Sequence, residues 1–507
     1  MPGTQNLPSK SPKVSLTFLP MTFAQATAVH VSLARQRFWR RPLLLVAVGS
    51  TLLLLLVEAM YWIFGRSRLY EGFYFEPNSS EDMMATIELQ RLVKSPIRAL
   101  FYLHTQPPGF DFVRLLLSMP ELLLGRVPSI GNVDLRLLIF QAVLFGLLNA
   151  VVFYWVAVIS SSRAISYSVT LMWAMYPGNL FVATFLDSMY LSTFLFVVTL
   201  HFWFLYFRCP NPRWLVATAV AVIALAWTRP NIQPVFIPIV VVPAVFALRH
   251  AKYVNTRRLL LGAASVCLVA LLLPIKQFIL FGTPSSSTVS GHHLLGMIRY
   301  LPTQADLESI DVPDKILNNG REFESEVNNV VELQLNYKFS RIFFRELSAR
   351  PLDVLEESLT TAHRSLVKGA GATHAYQRNV LVEDLPWADA SARVFSGTSY
   401  AALLTVGTIV LAVSVRRRNE NVWRDVALRA SPAVLLFAVL ALTIVFGSLR
   451  YTDVRSMGDA FGWSDGFTWT ESNRYKFMLE PVLLPPALLG LGMSVRRIFR
   501  HSQSRWS

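Results

Sequence analysis

The sequence predicts an all-α polytopic membrane protein with about ten transmembrane helices, and three observations carry that prediction. The 507 residues are 53% hydrophobic and only 16% charged, where an ordinary soluble domain carries about 25% charged residues. Apolar runs close to the ~20 residues that cross a bilayer recur along the whole chain. The basic residues are placed so as to give those runs one orientation.

The runs are 42–64, 135–159, 164–177, 188–207, 214–228, 231–248, 258–281, 397–415, 430–448 and 477–495. The first lacks a small-residue cleavage site and reads as a retained helix, not a signal peptide. Residues before Arg35 read as irregular. Runs 164–177 and 214–228 are short, which suits a tilted or partly re-entrant helix, with Pro177-Gly178 and Arg229-Pro230-Asn231 as the turns that end them. The two cysteines, Cys209 and Cys267, fall at the end of a run and inside one, so no disulfide framework is expected. No CxxC or HExxH motif is present.

A net charge of +15 invites a nucleic-acid reading, but its distribution excludes it. With the N-terminus in the cytoplasm, segments 1–41, 160–163, 208–213, 249–257, 416–429 and 496–507, with Arg258, hold 22 Lys/Arg and two acids, against 25 Lys/Arg and 30 acids elsewhere. The charge therefore orients the chain, places both termini in the cytoplasm and meets anionic membrane lipid. The expected membrane is a bacterial inner membrane, with the endoplasmic reticulum as the alternative. The organisation is a basic tail (1–41), a main transmembrane module (42–281) with a first outer loop (65–134), a mainly helical outer segment (282–396), C-terminal transmembrane helices (397–495) and a basic tail (496–507).

Two amphipathic helices are expected in the first outer loop, both lying flat at the interface. One carries Met83, Met84, Ile87, Leu92 and Val93 on an apolar stripe, and the other begins with Phe112, Val113, Leu115, Leu116 and Leu117 after Pro107-Pro108. In the outer segment, Glu322–Val367 has helical spacing broken at Pro351.

Residues that could carry chemistry gather on the outer side in this topology. Glu81 and Asp82 can serve as a general base or as oxygen ligands to a divalent cation, although Ser79, Ser80 and the two acids would equally suit a helix cap. His104-Thr-Gln106-Pro-Pro holds His104 and Gln106 extended as donors. Asp187 stands at the outer end of an apolar run, where an ionisable group is costly and so functional by default. Arg229, Arg474 and Lys476 suit a phosphate, and Glu471 and Tyr475 flank the last two. Lys276 is expected to pair with Glu58 or Glu480.

In this order and on this side, the elements Glu81-Asp82, Gln106-Pro-Pro, Tyr176-Pro with Asp187-Ser-Met-Tyr, Thr228-Arg-Pro-Asn and Glu471 with Arg474-Tyr-Lys resemble the GT-C superfamily of integral-membrane glycosyltransferases, which includes protein mannosyltransferases, aminoarabinose transferases and GPI mannosyltransferases. The likeness covers roughly 65–235 and 471–481. It departs at Leu186-Asp-Ser, where the superfamily often has Ser/Thr-Glu-Ser, and at Glu-Asp in place of Asp-Asp or Asp-Glu.

The resemblance implies a GT-C-like fold with 42–281 as the catalytic module. It implies a polyprenyl-phosphate-linked sugar donor, a lipid, glycan or protein acceptor, and an inverting single displacement on the non-cytoplasmic face. Asp82 would be the base, with Glu81 or Asp187 positioning it or a divalent cation (Mg or Mn). Arg229, Arg474, Lys476 and His104 would bind the donor phosphate, and Gln106, Glu471 and Tyr475 the substrate. Two other classes share features with the sequence. A transporter or flippase of lipid-linked or anionic substrates would place its polar groups at the midplane. An O-antigen-type polymerase or ligase would rely on a late loop rich in Arg and His, and 282–396 holds His292, His293, His363 and His374.

Overall fold

The computed structural model describes residues 23–60, 80–81, 86–102, 106–160, 162–229, 234–250, 255–284, 287, 291, 294–295, 328–356, 402–410, 429–439 and 477–506. The chain divides into two units, Met1–Leu45 and Val46–Ser507. Among the described residues the regular structure is entirely helical. Among these residues four helices are long and apolar enough to cross a membrane.

α1 is Phe23–Met60, beginning twelve residues before the expected onset of order at Arg35, and its apolar part is Arg40–Met60. The first loop holds α2 (Leu89–Lys94), α3 (Pro96–Tyr102) and α4 (Gly109–Leu123). The bundle continues with α5 (Ile130–Ser160), α6 (Arg163–Ala174), α7 (Pro177–Thr184), α8 (Ser188–Arg208), α9 (Pro212–Ala226), α10 (Ile237–His250) and α11 (Thr256–Phe281). α12 is Val330–Ala349, α13 spans 402–410, α14 is Arg429–Val439 and α15 is Glu480–Trp506.

α5 and α8 form the centre. Their most apolar windows are 56% and 50% buried, against 11% for α1 and 17% for α11, which leave most of their surface to the surroundings. A continuous core joins Leu54 of α1, Phe145 and Val152 of α5, Trp173 of α6, Phe196 of α8 and Leu484 of α15. α1 and α5 touch at Gly146, where a Cβ would strike Thr51 and the carbonyl of Ala47. α8 turns into α9 through Asn211, whose side chain accepts from Arg213 N at 3.0 Å while Pro212 takes the first helical position.

Two local expectations change. The chain does not turn at Pro177-Gly178. It turns at Met175-Tyr176, and Pro177 opens α7 because its missing N–H is no loss in a first turn. The apolar stripe of the first loop is not one unbroken helix: residues 86–88 are non-helical and α2 begins at Leu89. Ile87 and Leu92 are buried against protein together with Ala99, while Met83 and Met84 lie outside the described residues.

α4 has the surface expected of an interfacial helix. Phe110, Asp111, Arg114, Ser118 and Glu121 are buried, whereas Phe112, Leu116, Met119 and Leu123 are exposed. Polar residues at three- and four-residue spacing face protein, and the apolar stripe faces outward, as suits a helix lying on a membrane.

α12 realises the helical spacing of the outer segment, and the break falls at Pro351. Arg350 leaves the helix with φ −140° and ψ 65°, the extended bias of a residue before proline. Asn329 caps α12 by accepting from Glu332 N at 2.7 Å. Val330 and Leu333 pack with Phe281 and Tyr102, so α12 ties the end of α11 to the first loop. Gln334 Nε2 donates to Phe281 O at 2.6 Å, next to Gly282, which ends α11 at φ +71°.

Burial pushes the Glu332 carboxyl up from 4.5 to about 7. The folded carboxyl therefore keeps its proton to higher pH than the unfolded one. The stability it confers is complete below about pH 4.5 and is lost as the pH rises to about 7. Glu332→Gln should raise the Tm of the solubilised protein at pH 8 and leave it unchanged at pH 4.5, measured as paired thermal melts.

Candidate functional site

Arg114 of α4 organises the first loop. It is fully buried and donates through NH1 to Asp111 Oδ1 at 2.6 Å and to the carbonyl of Ile87 at 2.7 Å. Its Nε reaches Ser80 Oγ at 3.1 Å, and NH2 lies 3.4 Å from Glu81 Oε1. Ser80 Oγ donates in turn to Asp134 Oδ1 of α5 at 2.6 Å, and Thr86 Oγ1 donates to Ser80 O at 2.9 Å. Glu81 also accepts from Leu89 N, the first N–H of α2. One guanidinium thus fastens both sides of the loop to α4. Burial pushes the Asp111 carboxyl up, and the charge and hydrogen bond of Arg114 oppose that shift. Farther along α4, Glu121 accepts from Arg136 of α5, which holds its carboxyl below the usual range.

The second group forms where α7 meets α8. Asp187 adopts an extended conformation and caps α8, its Oδ1 accepting from Met189 N at 2.7 Å. Its Oδ2 lies 3.6 Å from Arg229 NH1, which also donates to Ser188 Oγ at 2.6 Å. Asp187 and Arg229 are 3% and 7% exposed, so neither reaches out to the surface. Gln141 of α5 donates to the carbonyls of Phe185 and Asp187 at 3.0 and 3.2 Å. Asn179 of α7 donates to Trp173 O at 3.1 Å and accepts from Tyr190 OH at 3.3 Å. Tyr176 OH donates to Glu480 Oε1 of α15 at 3.1 Å, which brings the start of the last helix to the same place.

Gly109 joins the two groups. Its N–H donates to Trp227 O at 2.7 Å, two residues before Arg229. A Cβ on Gly109 would stand 2.6 Å from that oxygen and 2.7 Å from Thr228 Oγ1. The approach therefore requires glycine at the end of the Pro-Pro element. Gln106, at its start, is buried.

Of the residues singled out in the sequence, Asp187 and Arg229 form one ion pair, and Gln106 and Glu81 lie in the loop docked beside it. Asp82, His104, Glu471, Arg474, Tyr475 and Lys476 lie outside the described residues. Lys276 stands 5.9 Å from the centre of the Phe101 ring, and Glu480 faces Tyr176.

The sequence reading missed Asp111, Arg114, Asp134 and Gln141. The signal for the first two was an opposite-charge pair three residues apart inside the apolar string Phe-Asp-Phe-Val-Arg-Leu-Leu-Leu. For a divalent cation the described carboxylates fit poorly. Glu81 and Asp187 each already face a guanidinium and a backbone N–H. Among the described residues no three of His, Cys, Asp and Glu gather as ligands.

Arg114→Met would leave Asp111 buried without its partner, a loss on the order of 3–5 kcal/mol. The double variant Asp111→Leu/Arg114→Met should be more stable than Arg114→Met alone, as read from denaturant melts. Gly109→Ala should separate the loop from α9, seen as faster hydrogen exchange across 109–123 with α8 and α9 unchanged.

These contacts bring together, at one end of a helical bundle, chain segments some four hundred residues apart. Compared with known proteins, the chain matches no family model, no characterised protein and no solved structure.

Proposed function

We propose that the chain is a GT-C-type glycosyltransferase that moves a sugar from a polyprenyl-phosphate-linked donor to an acceptor hydroxyl on the non-cytoplasmic face of its membrane. The observation that carries this reading is the hydrogen bond from Gly109 to Trp227. It sets the Pro-Pro element of the first loop against the Asp187–Arg229 pair, so the acidic loop and a guanidinium share one end of the bundle. A reaction that expels an anionic lipid needs such a meeting of a base and cations.

In this reading Asp82 removes the proton of the acceptor hydroxyl, and the oxygen attacks the anomeric carbon from the face opposite the phosphate. The bond from that carbon to the phosphate oxygen breaks, inverting the centre, and the polyprenyl phosphate leaves as an anion. Arg229, set by Asp187 and Ser188, meets the developing negative charge together with Arg474, Lys476 and His104. Gln106, Glu471 and Tyr475 orient the sugar. Glu81 holds the loop through Arg114. Asp187 acts through Arg229 and the cap of α8 and not as the base, because its carboxylate is already engaged by both.

The test presents the purified protein, in lipid, with a panel of polyprenyl-phosphate sugars and scores release of polyprenyl phosphate. Wild type should release it from one donor. Asp82→Asn should lower the rate by about 10²–10⁴-fold, the usual contribution of a positioned base. Equal release by Asp82→Asn removes that residue as the base. Release from no donor by folded protein removes the transferase reading in favour of transport or polymerisation.

A further inference from the structure

The end of the bundle opposite Asp187 and Arg229 holds a cavity that the proposed reaction does not use. It has a volume of about 630 Å³ and lies between α8, α9, α10, α11 and α14. Its walls are apolar and include Trp203, Tyr206, Leu215, Ala219, Val266 and Leu436. The volume is within the ~300–1,000 Å³ of small-molecule sites. Along α9 the lining runs from Pro212 to Val222, a rise of about 15 Å at 1.5 Å per residue. That is half of the ~30 Å hydrocarbon core, the depth of one leaflet.

At the start of α11 the lining includes Asn255 and Arg258, while the lining hydroxyls of Thr199 and Thr218 donate within their own helices, to Leu195 O and Trp214 O at 2.7 and 2.8 Å. Asn255 caps α11, accepting from Arg257 N at 2.9 Å, and Arg257 and Arg258 are exposed. Arg213 opens α9 beside the cavity and lies 4.6 Å from the centre of the Trp214 ring. Arg429 belongs to the same end, because its carbonyl accepts from the lining residue Trp203 at 2.8 Å. Segments 208–214 and 249–258 contain no acid. An uncharged head would gain nothing from the exposed Arg213, Arg257 and Arg258, and a soluble anion would leave the apolar walls wet.

We propose that this cavity holds one anionic phospholipid, an acyl chain between α9, α10 and α11 and the phosphate on Arg258. Basic pockets between membrane helices recognise anionic headgroups in this way, each arginine near the surface favouring the anion by about 1 kcal/mol, or about fivefold. The lipid would fill the gap between α10 and α11 and fix their separation. This site is independent of the sugar-transfer reading, since none of its lining residues belongs to the proposed reaction.

Gly262 allows a clean test. It lines the cavity, and a Cβ there meets nothing within 4 Å, so a larger side chain enters the space without moving the helix. Full-length protein in detergent is incubated with dioleoyl phosphatidylglycerol or dioleoyl phosphatidylcholine, and bound lipid is counted by native mass spectrometry. Wild type should retain one phosphatidylglycerol, about fivefold or more over phosphatidylcholine. Arg258→Gln should retain the two alike, and Gly262→Phe should retain neither, with the helical circular dichroism of both unchanged. Equal retention of the two lipids by wild type overturns the proposal. So does full retention by Gly262→Phe, an unchanged preference in Arg258→Gln, or a dimer of the chain in place of bound lipid.

Discussion

A buried stretch of non-helical backbone, Phe185–Asp187, sets the terms for one end of this protein. It links α7 to α8 with extended geometry and has no helix to satisfy its carbonyls. In a bilayer each such group would cost several kcal/mol if left unmet. Gln141 meets two of them from α5, and the Asp187 side chain meets the N–H of Met189. That solution buries a carboxylate, which in turn calls for a cation at close range. Arg229 supplies it from the far end of α9. The position of α9 beside α8, and the place where the chain leaves α9, are tied to the same requirement. The first loop inherits that geometry, because Gly109 docks on the carbonyl two residues before Arg229.

The first loop repeats the logic with the faces reversed. In water, α4 would bury Phe112, Leu116 and Met119 and expose Asp111 and Arg114. Here the surroundings reward the opposite arrangement, since apolar side chains cost nothing when turned to lipid. The buried face can then be used for directional bonds. Arg114 carries four of them, and each fixes a different part of the loop. A loop held only by apolar contacts would slide, whereas a planar guanidinium with several acceptors has one seating.

The elements were legible in the sequence where length and apolarity decide them. Apart from the turns at Met175–Tyr176 and Trp227–Thr228, every described part of the ten apolar runs is helical, and the break before Pro351 follows from proline sterics alone. What periodicity could not convey is what the polar face of an amphipathic helix meets. For α4 it is the rest of the first loop, gathered on Arg114. The turn at Tyr176 was misplaced for a related reason. Pro177-Gly178 is a common turn signal, but a proline also begins helices, and the choice is made by Tyr176 reaching Glu480 more than three hundred residues away. The roles of Asp187 and Arg229 were half legible. Each stood out as a charge beside an apolar run, yet only the meeting of α8 with α9 reveals that they neutralise one another. Gln141, an amide in an apolar run, gave no pattern to read.

The two ends of the α8–α9 pair are therefore built on opposite principles. At the Asp187 end, charges are buried and matched, so their positions are fixed by the fold and their net field is small. At the Arg208–Arg213 end, the arginines are exposed and no acid neighbours them in the connecting segment. A matched, buried pair can orient a reacting group but attracts little from a distance, because its field falls off as a dipole. An unmatched basic rim does the reverse: it draws anions from the surroundings without holding them to one geometry. Two helices joined by a three-residue turn through Asn211 thus carry positional precision at one end and electrostatic attraction at the other. α10 and α11 extend the second end into an apolar cavity, so what is drawn to the rim has a place to lodge only if it also carries a hydrocarbon chain.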